Sequence, residues 1–159
     1  MKSREGKIVD AYDLINKVQS LVKKELEKRE KISKKQLEER SLKIALAAIK
    51  YLLLKTDVRK DITFNPRESI SFEGNTGPYL QYSFARANSI LRKAKTKKLK
   101  EGCLGELEPK EAELMKKMSF FPSVVISSAV SLNPTIIANY AYDLAQSFNE
   151  FYHACPVIN

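Results

Sequence analysis

The stretch SFEGNTGPYLQYSFARANSILRK, residues 71–93, decides how this chain is read. Gly74, Asn75, Thr76, Gly77 and Pro78 follow one another as turn and helix-start residues, and a helical pattern begins at once. Pro78 suits the first helical position, where its missing N–H is not needed. At about 100° per residue, Leu80, Phe84, Ala87, Leu91 and Ala94 share one stripe, expected to face the core. Tyr79, Tyr82 and Arg86 fall on a second face, which Lys93 and Lys97 extend toward the helix C-terminus. Aromatic rings followed by cations suit single-stranded nucleic acid, because bases stack on rings for about 1–3 kcal/mol each while cations follow the phosphates. Asn75, Thr76 and Gly77 lie where free helix-start N–H groups would favour a phosphate. A packing role stays open at this point, with the tyrosines edging a neighbouring helix and Arg86 in an ion pair.

Working outward, the rest of the chain is also helical in pattern. Asp10 suits the N-cap of a first helix over 10–30, with Asp13 in its first turn. Ser33 and Gln36 form a capping-box pair for a second helix over 34–55. Its apolar stripe is Leu37, Ile44, Ala45, Ala48, Ile49 and Leu52. The pairs Ile62 with Phe64 and Ile70 with Phe72 predict short extended pieces around Pro66. Further helices are expected from Pro109 to Met118, from Pro122 to Ser131, and from Asn133–Pro134 to His153. The expected fold class is all-α, a bundle of about six helices with an irregular or extended segment near 61–73.

Composition bounds the rest. The 159 residues predict one domain, or one domain with a trailing piece of another, and 43% hydrophobic residues are enough for a core without disulfides or metals. No apolar run is long enough to span a membrane, and the charged start MKSREGKIVD has no signal-peptide core. Cys103 and Cys155 are far apart in sequence and are read as free thiols in a reducing cytoplasm. His153 and Cys155 are too few for a metal site. A net charge of +9 suits a polyanion such as nucleic acid, or equally a solvated surface that only aids solubility.

FEGNTGPYLQYSFAR, 72–86, closely resembles the opening of the C-terminal anticodon-binding domain of arginyl-tRNA synthetases, a helical bundle of the DALR type. AAIKYLLL at 47–54 and YDLAQSFNEFYHACPVI at 142–158 resemble helices of the same family, in the same order. MKSREG at 1–6 resembles a degenerate KMSKS loop of a class I synthetase.

The resemblance implies an arginine tRNA as partner and a parent enzyme that joins arginine to tRNA with ATP and magnesium. It also implies that Tyr79, Tyr82 and Tyr152 contact the anticodon arm, that Tyr82 and Tyr152 stack on bases, that Arg86 binds backbone or a base edge, and that Asn75 orders the turn. Lys93 and Lys97 are expected to follow phosphates. Family members often carry His or Tyr at the position of Phe84. One histidine and no glycine-rich phosphate loop leave the chain with no catalytic residues of its own and no cofactor to bind. Met1, Lys2, Ser3 and Arg4 are then the end of a KMSKS-like loop, residues 1–9 a catalytic-domain remnant, and 10–159 an anticodon-binding domain cut short at its C-terminus. Absent helices are expected to leave Leu144, Phe148 and Phe151 partly uncovered, with self-association or reduced stability as the result. The rival class is a helical module that binds protein and does not discriminate tRNAs.

Overall fold

Asp10 caps the first helix by accepting the backbone N–H of Tyr12 at 2.6 Å, and α1 runs over Ala11–Arg29. The computed structural model describes residues 10–94 and 106–157, so Met1, Lys2, Ser3, Arg4, Lys97 and Cys103 lie outside the described residues. Six long helices and one single turn make up its secondary structure: α2 (Lys34–Lys55), α3 (Pro66–Ser69), α4 (Gly77–Ala94), α5 (Pro109–Ser119), α6 (Phe121–Val130) and α7 (Thr135–Ala154) follow α1. No strand occurs among the described residues. Residues 61–65 carry no regular structure, in keeping with the irregular segment expected near 61–73, and α3 interrupts that segment with a single turn. Asn65 starts the turn by accepting from the Arg67 N–H, with Pro66 at its first position.

The chain divides into two compact units, Met1–Leu53 with Ile62–Pro78 and Leu54–Asp61 with Tyr79–Asn159. In the first, Val18, Val22 and Leu26 of α1 pack with Ala45 and Ala48 of α2 and with Ile70. These positions recur at helical spacing, so the buried stripe follows directly from the sequence pattern. Buried Gln19 crosses from α1 to α2 and donates to the Glu38 carbonyl, the Glu38 carboxylate and the Ser41 hydroxyl. The Ser33–Gln36 capping box is present, with Gln36 N donating to Ser33 Oγ at 3.3 Å and Ser33 N to Gln36 Oε1.

Gly77 and Pro78 are both buried in this unit. A Cβ on Gly77 would stand 2.3 Å from the Ala47 carbonyl oxygen, so only glycine permits so close an approach of α4 to α2. The Cα of Gly77 is thus packed against the backbone of α2.

In the second unit α7 packs against α5 and α6. Tyr140 donates its hydroxyl to the Lys117 carbonyl at 2.9 Å, and burial raises its pKa. Lys110 bridges Glu113 and Glu150. The end of α6 is a Schellman turn: Asn133 N donates to Ser128 O and Leu132 N to Ala129 O. Leu132 occupies its left-handed position at φ 49°, where glycine is usual.

The apolar surface of this unit differs from the expected one. Phe84 and Leu91, placed on the core stripe of α4, are 70% and 60% exposed. The buried face of α4 instead contains Ser83, flanked by half-buried Tyr79, Arg86, Ala87 and Ile90. Leu144, Phe148 and Phe151 of α7 are each half-buried, and the most exposed apolar residues at this end are Ile126, Val130 and Leu132, in α6 and the turn after it. No helix is long and apolar enough to cross a membrane.

Candidate nucleic-acid interface

On α7, Ala138, Tyr142, Ala145 and Asn149 recur at steps of four, three and four, which puts an asparagine in line with small and aromatic positions that face inward. Asn149 is 9% exposed. Its Nδ2 donates to the Ser83 hydroxyl at 2.7 Å and to the Tyr79 hydroxyl at 2.9 Å, both on α4. Its Oδ1 accepts from Arg86 Nη1 at 2.6 Å. Arg86 therefore meets a neutral amide, and the ion pair left open above is not what holds it. The Ser83 hydroxyl donates in turn to the Tyr79 carbonyl, so the polar groups gathered here have partners.

The guanidinium of Arg86 touches two aromatic rings. Its Cζ is 4.6 Å from the centroid of Tyr82, one turn earlier on α4, and 4.6 Å from that of Tyr152 on α7. Nη2 donates to the Tyr82 hydroxyl. A guanidinium over a ring face is worth about 0.5–1 kcal/mol at exposed sites and about 2 kcal/mol when desolvated. Tyr82 and Tyr152 nevertheless keep 46% and 39% of their surface exposed. Behind them, Tyr152 touches Phe148 at 6.5 Å between centroids and His153 edge-on at 5.8 Å, while Tyr79 meets Tyr142 at 5.6 Å.

The expected site residues thus separate into groups. Tyr79, Tyr82, Arg86 and Tyr152 are brought together, although Tyr79 faces Asn149 and Tyr142 where Tyr82 and Tyr152 face solvent. Asn75 belongs to the first unit, where its side-chain carbonyl accepts from Tyr51 at 2.5 Å. Beside it Thr76 Oγ1 donates to the Ser71 carbonyl, and Gly74 turns the chain at φ 76°. Lys93 is exposed in the last turn of α4, and Lys97 lies outside the described residues. Two members of the cluster, Ser83 and Asn149, escaped the sequence reading. The signal for both was a small polar residue in register with inward-facing positions.

A cavity of about 560 Å³ opens next to the cluster, lined by Tyr79, Asn149, His153, Lys110, Glu150 and Gln146. Hydrogen bonds from Lys110 and Gln146 hold the Glu150 carboxyl below the ordinary carboxylate range, and Glu150 and Glu113 raise the Lys110 ammonium. Cys155 is buried, and burial raises its thiol pKa.

The family model for the DALR anticodon binding domain matches residues 80–159. An arginine–tRNA ligase of Flavobacterium psychrophilum is 42% identical over 161 residues, covering 99% of this chain and 27% of the relative. One of Treponema denticola is 43% identical over 169 residues, covering 100% of this chain and 28% of the relative. Among solved structures, the arginyl-tRNA synthetase of Thermus thermophilus superposes with a TM-score of 0.84 at 33% identity, over 98% of this chain and 25% of that one. The arginyl-tRNA synthetase of Plasmodium falciparum gives 0.78 at 26% identity, over 96% and 28%. The chain thus spans about a quarter of the length of the relatives it matches.

Proposed function

We propose that this chain, which belongs to the DALR anticodon binding domain family, is the part of an arginine–tRNA ligase that binds the anticodon arm of arginine tRNA in the cytoplasm. The observation that carries the reading is the pair of half-exposed rings, Tyr82 and Tyr152, set around the Arg86 guanidinium inside the family-matched stretch. Exposed ring faces accept unstacked bases with little regard to hydrogen-bonding pattern, and the formal charge of +9 draws in the phosphates. Residues 10–159 are read as the tRNA-binding part and Met1–Arg4 as the end of a KMSKS-like loop. Joining arginine to tRNA, with ATP and magnesium, is assigned to the longer protein.

Titration with arginine tRNA, and with the same tRNA altered at the central anticodon cytosine, tests this. Weaker binding of the altered tRNA, and loss of that difference in Tyr82→Ala, is the expected result. Equal binding of both, with a steep salt dependence, would leave only phosphate attraction.

Self-association is a second property to measure. The exposed Ile126, Val130 and Leu132 favour it. Sedimentation over a concentration series should show association that Ile126→Lys weakens.

A further inference from the structure

We infer that Asn149 and Arg86 work together as positioning residues, holding the Tyr82 and Tyr152 rings in one arrangement for a nucleic-acid base, with Arg86 bound inward and not offered to phosphate. This rests on the reading of the site as a nucleic-acid interface and assigns roles within it.

The geometry of Arg86 carries the first half. The ring of Tyr82 and the ring of Tyr152 each lie 4.6 Å from Cζ, so the guanidinium touches both at once. Of its N–H donors, one on Nη1 is taken by Asn149 and one on Nη2 by the Tyr82 hydroxyl. Swinging Arg86 away from the rings toward a phosphate would give up two hydrogen bonds and two ring contacts. A lysine could not replace it, because an ammonium has neither the planar fork nor two flat faces.

Asn149 carries the second half. Only one orientation of its amide satisfies every neighbour: Oδ1 toward the Arg86 donor, Nδ2 toward Tyr79 and Ser83. Turning it over would set an N–H against the Arg86 N–H in a buried place. Asn149 and Tyr152 stand three residues apart on α7, and Tyr82 and Arg86 four apart on α4, so each helix sets one ring and one polar anchor on the same face. The anchors pair across the helices and fix the rings, whose outer surfaces stay in solvent.

The test titrates the chain and its Arg86→Gln, Arg86→Lys and Asn149→Ala variants with an RNA stem–loop whose central anticodon base is cytosine, over a series of salt concentrations. Arg86→Gln and Asn149→Ala are expected to bind about tenfold more weakly, an effect on the scale of one lost base stack, with the salt slope unchanged. Arg86→Lys should fall with Arg86→Gln despite keeping its charge. The double variant should be no weaker than the weaker single one, because both remove the same arrangement. By proton NMR without RNA, the Arg86 side-chain methylene signals should lie upfield, against two rings, and lose that shift in Asn149→Ala.

A salt slope lower by about 0.7 in Arg86→Gln, restored by Arg86→Lys, would make Arg86 a phosphate ligand and overturn the inference. Tighter binding by Arg86→Gln would overturn it too, by showing that the guanidinium blocks a slot between the rings. If Asn149→Ala does not fold, the Arg86 variants decide the matter alone, since Arg86 is only half-buried. A wild-type chain that ignores the stem–loop would remove the proposed function itself, and the inference with it.

Discussion

Helices α1 and α7 each bury one side-chain amide against a neighbouring helix, and the two amides end differently. Gln19, 8% exposed, reaches Glu38 and Ser41 on α2, and its bonds close there on backbone, carboxylate and hydroxyl. Asn149, 9% exposed, reaches Tyr79 and Ser83 on α4 but also Arg86, which touches two half-exposed tyrosines. The surroundings differ in kind as well. The first unit has an aliphatic core of Val18, Val22, Leu26 and Ile70, whereas the α4–α7 contact is built from serine, alanine, asparagine and rings. The comparison teaches that a buried amide registers two helices wherever it occurs. It serves a surface only when its last partner is itself exposed.

The difference can be broken or sharpened by substitution. The largest effect is expected from Gly77→Ala, whose Cβ would meet the Ala47 carbonyl carbon and oxygen at 2.6 and 2.3 Å. Forcing α4 and α2 apart should cost about 3 kcal/mol, seen as a lowered denaturation midpoint. Next, Gln19→Ala leaves the buried Ser41 hydroxyl oxygen without the donor it has from Gln19 and should cost about 1–3 kcal/mol. Its affinity for RNA, measured on the folded fraction, should stay that of the wild type, in contrast to Asn149→Ala. Equal loss of RNA affinity in both would erase the distinction drawn here.

Smaller effects follow at the far end of the second unit. Leu132→Gly relieves a left-handed leucine and should raise the melting temperature, by about 1 kcal/mol of stability or less. Because the Glu150 carboxyl has its pKa below the unfolded value, its contribution is complete above the ordinary carboxylate range and is lost as pH falls through that range and below it. Glu150→Gln should therefore flatten the acid side of a melting-temperature profile slightly and leave neutral pH nearly unchanged. Cys155, buried and with its thiol pKa raised, should react with iodoacetamide far more slowly in the folded chain than after denaturation.

Much of the fold is legible in the sequence. Asp10, the Ser33–Gln36 pair, Pro109 and Asn133 each marked a helix start, and α1, α2, α5 and α7 begin within two residues of those marks. The apolar spacing of α2 named Ala45 and Ala48 of the first core, and Val18, Val22 and Leu26 of α1 recur at the same helical spacing. Reading α4 by the same rule misplaced Phe84 and Leu91, because hydrophobic size was taken as the guide to burial where Ser83 was the inward residue. A neighbour that offers Asn149 selects a small hydroxyl, and no wheel of α4 alone contains that neighbour. Among the candidate site residues, Tyr82, Arg86 and Tyr152 were found through the motifs that carry them, but nothing in the motifs said that Arg86 touches both rings.

By itself, then, the sequence determined where helices start and stop, the aliphatic core of the first unit, the basic charge and the family motif. These depend on contacts within one turn or on residue identity, which the order of residues states directly. Tertiary structure alone decided that the Cα of Gly77 packs against the backbone of α2, that Asn75 serves Tyr51, and that Asn149, 63 residues beyond Arg86, fixes its guanidinium. Such pairings depend on which helix faces come to lie together, and helical periodicity describes only one helix at a time.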